Sequence, residues 1–235
     1  MADAELLLTL AQMLQNDRKR RMRSELRSKV GAALGIPKRS WPQIECLENK
    51  QVFVAFKPGA GNLASGLDEA ALRPLLRQAV VAACAAVETF VADRVIEHYG
   101  KAIKLEPVPP RLLGLTMTVD DWLRIDTIYT RRKWGLRQIV ELEIREKSSP
   151  TPDVIGQLFS MVAVKDVFKR IDIRRKLDIG TSAKELDAIR LRRNKIAHEG
   201  DRAGRGRAGI TVAEVEKYLR QVGSIIDGMD AVTKP

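Results

Sequence analysis

The sequence contains few of the residues that most often identify a particular chemistry. Its 235 residues include two cysteines, two histidines and only 5% aromatic side chains. Cys46 and Cys84 are too few for a disulfide framework, and no group of Cys and His has the spacing of a structural zinc site. The shortage of aromatics argues against recognition of nucleic acid by base stacking. We therefore expect two free thiols, no metal and no cofactor.

Long apolar segments are also missing. No run approaches the ~20 residues of a membrane-spanning helix, and Asp3 and Glu5 precede the short apolar run at 6–10, unlike the basic start of a signal peptide. We therefore expect a soluble, cytoplasmic protein that does not contact membranes. Charge, by contrast, is abundant: 41 Lys and Arg against 30 Asp and Glu give a net charge of +11. This excess favours a polyanionic partner, of which nucleic acid is the first candidate.

Helical spacing of apolar residues dominates the sequence and strand patterns are almost absent, so we predict an all-α fold. A first helix is predicted over residues 3–30. Residues 36–66 are interrupted by Pro and Gly and contain one short apolar segment, 52–56, that fits a strand or a tether. We place the domain boundary here, between an N-terminal appendage of helix and loop (residues 1–60) and a main helical domain (residues 61–235).

The main domain begins with a predicted helix over residues 68–100. The middle of this helix is apolar nearly all round, which is typical of a central helix or an interface helix. Thr181 and Ser182, with Glu185 three residues after Ser182, predict a capping box at the start of a later helix. The other predicted elements are helices over 119–132, 134–147 and 152–171, the capped helix ending near His198, a polar loop over 199–209 and a final helix from Thr211.

The most informative stretch is residues 192–201, in which Arg193, Asn194 and His198 precede Gly200. Asn194 and His198 are four residues apart and share a helical face, whereas the five-residue spacing of Arg193 and His198 is less suited to one face. Gly200 is placed to end the helix, which puts His198 in the last turn. His198 can transfer protons near neutral pH, and Arg193 can stabilise the negative charge that develops on a phosphodiester. The alternative is a capping network in which His198 binds terminal carbonyls.

Two ionisable residues lie in or near the long predicted helix. Glu88 is a lone carboxylate in an apolar segment, where it is costly unless paired. It is either a surface or ion-paired residue, or a partner that orients Arg193 or His198. His98 also precedes a glycine near a helix end, but nothing else converges on it, and we interpret it as structural.

Basic residues surround the motif and continue beyond it into a Gly-rich segment. That segment is either a disordered, solvated turn or a clamp that binds the RNA backbone next to His198. Its position favours the clamp. The candidates for substrate binding are Arg192, Lys195, Arg202, Arg205 and Arg207.

The stretch Leu191–Gly200, with its Arg-x4-His pattern near the end of a helix in an all-α chain, resembles the HEPN superfamily. Its context is similar to members found in toxin–antitoxin and phage-defence systems. The earlier helix through residues 86–90 also resembles a core helix of that superfamily, which often carries a polar or acidic residue facing the motif. The resemblance covers about residues 68–230, whereas residues 1–60 do not obviously match.

The resemblance implies a metal-independent endoribonuclease whose site forms when a homodimer brings two Arg-x4-His motifs together. One His198 would take the 2′-hydroxyl proton and the other would protonate the 5′-oxygen. Arg193 would stabilise the transition state, Asn194 would orient His198 or contact the phosphate, and Glu88 is a weaker catalytic candidate. An antitoxin or a nucleotidyltransferase is a possible partner. The alternative function is a non-catalytic helical module that binds nucleic acid or a protein partner.

Overall fold

The computed structural model describes residues 1–15, 19–20, 22–48, 53–58, 69–128 and 132–234. Helices dominate these residues, and two small antiparallel sheets accompany them. The prediction of an all-α fold is confirmed. Within these ranges no helix is both long and apolar enough to cross a lipid bilayer.

The α-helices, in chain order, are α1 (Ala2–Gln15), α2 (Ser24–Ala33), α3 (Glu69–Ala102), α4 (Pro110–Leu113), α5 (Val119–Ile128), α6 (Arg132–Lys147), α7 (Pro152–Met161), α8 (Val167–Arg175), α9 (Thr181–His198) and α10 (Val212–Thr233). A 3-10 helix spans Lys38–Gln43. The strands are β1 (Lys19–Arg20), β2 (Glu45–Glu48), β3 (Phe53–Phe56), β4 (Arg202–Ala203) and β5 (Gly206–Arg207).

The chain divides into two compact units. The smaller contains residues 2–79 and 208–216, and the larger contains residues 80–207 and most of α10. The predicted division into residues 1–60 and 61–235 stays a prediction.

The smaller unit is built around a three-stranded sheet with the order β1-β2-β3. Buried Met22, Ile44 and Cys46 form its core, and Trp41 packs against them. The indole N–H of Trp41 donates a 2.8 Å hydrogen bond to the carbonyl of Ile36. This unit therefore has a small hydrophobic core of its own.

The helix predicted over residues 3–30 is wrong, because two helices flank a strand there. Within this range Lys19 pairs with Leu47 and Arg20 with Cys46, so backbone groups of β1 bond to β2 rather than along a helix. Met22 is buried in the core of the smaller unit. Helical spacing continues across the break, which is why the sequence pattern did not reveal it. Of the two structures that the sequence allows for the apolar segment 52–56, a strand or a tether, the strand is observed, as β3.

The long helix predicted over residues 68–100 is confirmed as α3, with residue 68 outside the described residues. Within this chain α3 is buried on one face only, so it is not a fully enclosed central helix, and its role as an interface helix stays a prediction. Val87 and Val91 are fully buried, whereas Ala85, Thr89 and Asp93 form an exposed stripe at a spacing of four residues. Alanines on both faces of α3 make the sequence apolar all round, although only one face is buried in the structure. Glu88 lies beside the exposed stripe and is half-buried.

The single helix predicted over residues 152–171 is two helices, α7 and α8, with a turn between them. Ala163 and Asp166 both adopt left-handed backbone conformations in this turn, with φ of 64° and 52°. Neither is a glycine, so the turn carries no obvious sequence signal. The break lets α8 pack against both α7 and α9. A Cβ added at Gly228 would lie 2.9 Å from Ile171, so glycine allows α10 to approach α8 closely.

The capping box predicted at the start of α9 is also wrong. The N-cap residue is Gly180, with φ of 94°, and no side chain of the predicted box caps the helix. Ser182 and Glu185 instead accept hydrogen bonds of 2.6 and 2.9 Å from Nη1 of Arg175. The side chains of Ser182 and Glu185, which the local pattern predicts as capping groups, therefore bind Arg175 of the preceding helix instead.

A residue from the preceding helix caps α9. Asp172 is fully buried, and its carboxylate accepts hydrogen bonds from the backbone N–H groups of Gly180 at 2.7 Å and Ser182 at 2.9 Å. A carboxylate at a helix N-terminus satisfies exposed donors and interacts favourably with the helix dipole. Asp172, which lies 26 positions before His198, thus fixes where the helix that carries His198 begins.

We predict that Asp172→Ala lowers the free energy of unfolding by about 2–3 kcal/mol, because it removes two charge-assisted hydrogen bonds and leaves buried donors unsatisfied. Urea denaturation followed by circular dichroism measures this loss. Asp178→Ala is the matched control, since Asp178 is exposed in the same α8–α9 connection and should change the free energy little. Equal stability of the two variants would contradict the capping role of Asp172.

Candidate functional site

The candidate site starts where α9 ends. The backbone N–H groups of Glu199 and Asp201 both donate to the carbonyl oxygen of Lys195, at 3.1 and 2.8 Å. Between them Gly200 has φ of 60°, a left-handed conformation that glycine adopts without cost. The prediction that Gly200 ends the helix and leaves His198 in its last turn is confirmed.

Asp201 ties the end of the helix back to the helix itself. Its carboxylate receives both terminal nitrogens of Arg192, with 2.8 Å from Nη1 to Oδ1 and 3.2 Å from Nη2 to Oδ2. The side chains of Asp201 and Arg192 are only 1% and 13% exposed. The longer contact is a hydrogen bond and the shorter one an ion-pair contact, and hydrogen bonds between charged groups are stronger than those between neutral ones. The sequence predicted Arg192 as a substrate-binding residue; the structure places its guanidinium on Asp201.

The predicted polar loop over residues 199–209 contains a β-hairpin. Strands β4 and β5 pair antiparallel, with Arg202 opposite Arg207. Gly204 in the turn has φ of 58°. The glycines that indicated a flexible loop therefore supply hairpin geometry, and the arginines between them are exposed at defined positions. We call this segment, residues 202–207, the basic hairpin.

The basic hairpin and the end of α9 line a cavity of about 1020 Å³ that is open to solvent. Cationic side chains and glycine backbone dominate its lining, and Glu199 contributes one carboxylate. Such a surface attracts an anionic chain and allows its backbone to come close. The cavity is lined by His198, Glu199, Gly200, Arg202, Gly204, Arg205, Gly206 and Arg207.

Arg193 belongs to a different cluster, on the side of α9 that faces α3. Its Nη2 forms an ion pair with Oε1 of Glu88, and its Nη1 donates a 3.2 Å hydrogen bond to Oδ1 of Asn194. Both members of the ion pair are partly buried, with 21% of the Arg193 side chain and 30% of the Glu88 side chain exposed. Glu88 is therefore placed to orient Arg193.

Cys84 lies one turn before Glu88 and is fully buried against the same cluster. Burial raises the pKa of the Cys84 thiol from 9.0 to about 11, because the thiolate loses solvation. The Arg193 guanidinium lowers this pKa and the Glu88 carboxylate raises it, but burial dominates. The thiol is thus protonated near neutral pH. The sequence predicts only a free thiol at Cys84 and gives no sign of its contact with Arg193.

The structure brings the predicted residues into two groups. His198 joins Arg202, Arg205 and Arg207 around the cavity, whereas Arg193 joins Glu88 and Asn194. No hydrogen bond or ion pair among the described residues connects Arg193 with His198. Five residues of α-helix rotate a side chain by ~500°, or ~140° past a full turn, so the two side chains leave α9 in different directions. Within one chain they do not form a single contact site.

The remaining candidates have separate positions. The Lys195 side chain is exposed on α9, and the backbone carbonyl of the same residue holds the helix end. His98 bonds through Nε2 to the backbone carbonyl of Thr233 near the end of α10, which supports its interpretation as structural. In the part of the chain that the structure describes, no group of three or more His, Cys, Asp or Glu residues is arranged to hold a metal ion.

Asp201 is the residue that sequence reasoning missed most clearly. In the sequence it is only the residue that follows Gly200, whereas in the structure its carboxylate binds Arg192 of the same helix. A weak signal was present, because a carboxylate directly after a helix-ending glycine lies within reach of a basic residue on the last turns. The sequence does not say which of the neighbouring arginines it binds.

Comparison with known proteins gives one match. A family model described as RiboL-PSP-HEPN matches residues 59–233. This range includes both the Glu88–Arg193 cluster and the cavity at His198. No curated protein and no solved structure gave a match.

The raised pKa of Cys84 predicts a pH-dependent stability. Between pH 9 and 11 the unfolded chain releases the thiol proton and the folded chain retains it, so the free energy of unfolding falls as pH rises through this window. Cys84→Ala should lose this contribution. We predict that the stability difference between wild type and Cys84→Ala shrinks between pH 8 and pH 10.5, measured by urea denaturation. A difference that stays constant with pH would show that burial does not perturb this thiol.

Proposed function

Because the chain belongs to the RiboL-PSP-HEPN family of the HEPN superfamily, we propose that it is a metal-independent endoribonuclease that cleaves RNA through the 2′-hydroxyl. The observation that carries this proposal is the position of His198, which lines an open cavity whose other side chains are mainly arginines. A proton-transfer group beside a cationic cleft is what cleavage of a polyanion requires.

RNA binding is assigned to the basic hairpin. Arg202, Arg205 and Arg207 line the cavity with His198, and the glycines between them leave room for a phosphate backbone. Arginine binds phosphate oxygens through two parallel hydrogen bonds. The few aromatic residues of the chain fit recognition of the backbone rather than base stacking. Lys195, exposed on α9, would add a further cation.

The proposed reaction is an internal transesterification. A neutral His198 accepts the proton of a 2′-hydroxyl, and the resulting oxygen attacks the adjacent phosphorus. The bond between phosphorus and the 5′-oxygen breaks, and an imidazolium donates a proton to that leaving oxygen. The products are a 2′,3′-cyclic phosphate and a 5′-hydroxyl, with no water consumed and no oxidation or reduction.

This reaction uses one base and one acid, and each chain offers one histidine at the cavity. We therefore assign the second histidine to a second copy of the chain across a two-fold axis. The separation of Arg193 from His198 within one chain supports this arrangement, because the partner's Arg193 could approach the phosphate that this chain's His198 serves. The composite site is complete only in such a homodimer.

Arg193 is proposed to stabilise the negative charge that builds up on the phosphate oxygens. Its guanidinium carries five N–H donors, and Glu88 and Asn194 engage two of its nitrogens. These contacts fix the direction of the side chain and leave donors for a phosphate. Glu88 thus acts through Arg193, and Asn194 orients the same guanidinium rather than contacting His198.

The biological setting proposed is a toxin–antitoxin or phage-defence system in the cytoplasm, by resemblance of the Arg-x4-His context. An antitoxin or a nucleotidyltransferase would be the neutralising partner.

The second candidate function is a helical module that binds nucleic acid without cleaving it. One observation favours that alternative: the carboxylate of Glu88 already balances the positive charge of Arg193 that the proposed reaction uses.

We predict that His198→Ala and Arg193→Ala each lower the rate of RNA cleavage at least about 100-fold, because each removes a group that acts on the transition state. Glu88→Gln should lower it less, since it keeps the side chain in place but removes the charge that orients Arg193. A gel assay with a labelled single-stranded RNA measures these rates.

His98→Ala is the matched control, since His98 is the other histidine of the chain and bonds to a helix-end carbonyl away from the cavity lining. It should cleave RNA at close to the wild-type rate, and EDTA should not inhibit the wild type. Normal activity in His198→Ala or Arg193→Ala would overturn the assignment. Binding of RNA without cleavage by the wild type would favour the non-catalytic module.

The basic hairpin predicts a specific salt dependence. Replacing Arg202, Arg205 and Arg207 together by Ala should weaken binding of single-stranded RNA and make its dependence on salt concentration shallower by up to about two units of slope, because fewer counterions are released. Fluorescence anisotropy across a range of KCl concentrations measures both effects.

A matched triple variant removes the same charge from another exposed surface. Lys165, Lys169 and Arg174 lie on or next to α8 and are exposed. Their replacement by Ala should leave the slope near the wild-type value. If both triple variants weaken binding equally, the basic hairpin is not the RNA-binding surface.

A further inference from the structure

We infer that Arg192 and Asp201 form a positioning clamp that holds the basic hairpin against the end of α9 and so sets where RNA lies relative to His198. This inference rests on the proposed function. It changes the role of Arg192 from an RNA ligand to a residue that acts through the hairpin. It also gives a role to Asp201, which no sequence motif singled out.

The burial of this ion pair separates it from the surface cations. The Asp201 side chain is 1% exposed and the Arg192 side chain 13%, and both guanidinium nitrogens at the end of Arg192 contact the carboxylate. An ion pair removed from water in this way carries a large desolvation cost and is destabilising if one partner is lost. By contrast, the Arg190–Asp187 pair on the same helix is 22% and 41% exposed.

The backbone at Asp201 is held as firmly as its side chain. Its N–H donates a 2.8 Å hydrogen bond to the carbonyl of Lys195. Its φ of 57° is a left-handed conformation that is unfavourable for a residue with a Cβ, although Asp tolerates it better than most. A non-glycine residue keeps such a conformation where surrounding contacts determine it. The Arg192 and Lys195 contacts are those determinants.

The position of Asp201 in the chain places it at the base of the basic hairpin. β4 begins at Arg202, directly after Asp201, and the helix that carries His198 ends three residues before it. The hairpin turn lies three residues beyond Asp201, which is ~10 Å of extended chain at ~3.3 Å per residue. A tilt of ~20° at the base would therefore move the turn by ~3 Å, enough to break a hydrogen bond to a phosphate.

The first test measures the hairpin without RNA. Trypsin cleaves after arginine, and Arg202, Arg205 and Arg207 lie within the hairpin. In Asp201→Asn the carboxylate charge is lost while size and tolerance of left-handed φ are kept. Limited proteolysis should cut this variant in the hairpin about 10-fold faster than wild type, because the local opening that exposes the backbone becomes more frequent.

The second test measures RNA affinity in a background that cannot cleave. All proteins carry His198→Ala, and fluorescence anisotropy with a labelled single-stranded RNA reports the dissociation constant. Asp201→Asn should weaken binding about 5- to 10-fold. In the cleaving background the same change should raise KM by a similar factor with kcat changed less than about 2-fold, which is the pattern of lost uniform binding.

Two further variants separate positioning from general destabilisation. Arg192→Gln strands a buried carboxylate and should impair both readouts, whereas Arg192→Gln combined with Asp201→Asn pairs two neutral amides and should recover part of the loss. Asp187→Asn, in the more exposed Arg190–Asp187 pair on the same helix, should leave proteolysis and affinity at wild-type values.

The outcomes distinguish this inference from the proposed function. Unchanged proteolysis of Asp201→Asn overturns the clamp, and faster proteolysis with unchanged RNA affinity overturns its role in positioning. Failure of the wild type to cleave RNA overturns the proposed ribonuclease, while proteolysis and affinity still decide the clamp. Faster hairpin cleavage, weaker binding and partial rescue by the double variant together support it.

Discussion

The end of helix α9 is held by two interactions on which the rest of the candidate site depends. The carbonyl oxygen of Lys195 accepts two backbone N–H groups beyond the helix, and the carboxylate of Asp201 receives the guanidinium of Arg192. Together they turn the chain out of the helix at Gly200 and start the basic hairpin at a defined point. The cavity beside His198 forms between the end of α9 and the basic hairpin, so it depends on the direction in which the chain turns at Gly200.

The same helix presents a second group of residues in another direction. Arg193 binds Glu88 on α3 above the buried thiol of Cys84, and this separates it from His198. In the proposed reaction Arg193 stabilises charge and His198 transfers protons, and one chain holds these two side chains on different sides of one helix. The proposed two-fold dimer would overcome this separation, because Arg193 of one copy could act on the phosphate that His198 of the other copy serves. Helix geometry and family membership are thus the two grounds for the proposed composite site.

The sequence was informative where local spacing decides the structure. The α-helical class, the long α3 and the termination of α9 at Gly200 were all predictable from periodicity and from glycine. The break before β1 and the true cap of α9 were not, because a partner strand and the buried Asp172 determine them from outside the local segment. At the site, Arg193 and His198 were evident as a motif. The pairing of Arg192 with Asp201 was not, since several arginines compete for one carboxylate in the sequence.

The chemical ends of the RNA fragments test the central claim most directly. Incubation of the purified wild-type protein with an RNA oligonucleotide, followed by mass spectrometry of the products, distinguishes the two classes of cleavage. The account predicts a 2′,3′-cyclic phosphate on one fragment and a 5′-hydroxyl on the other, with no cut at a position that carries a 2′-deoxyribose. Fragments that carry a 5′-phosphate and a 3′-hydroxyl, or cleavage at the 2′-deoxy position, would contradict it.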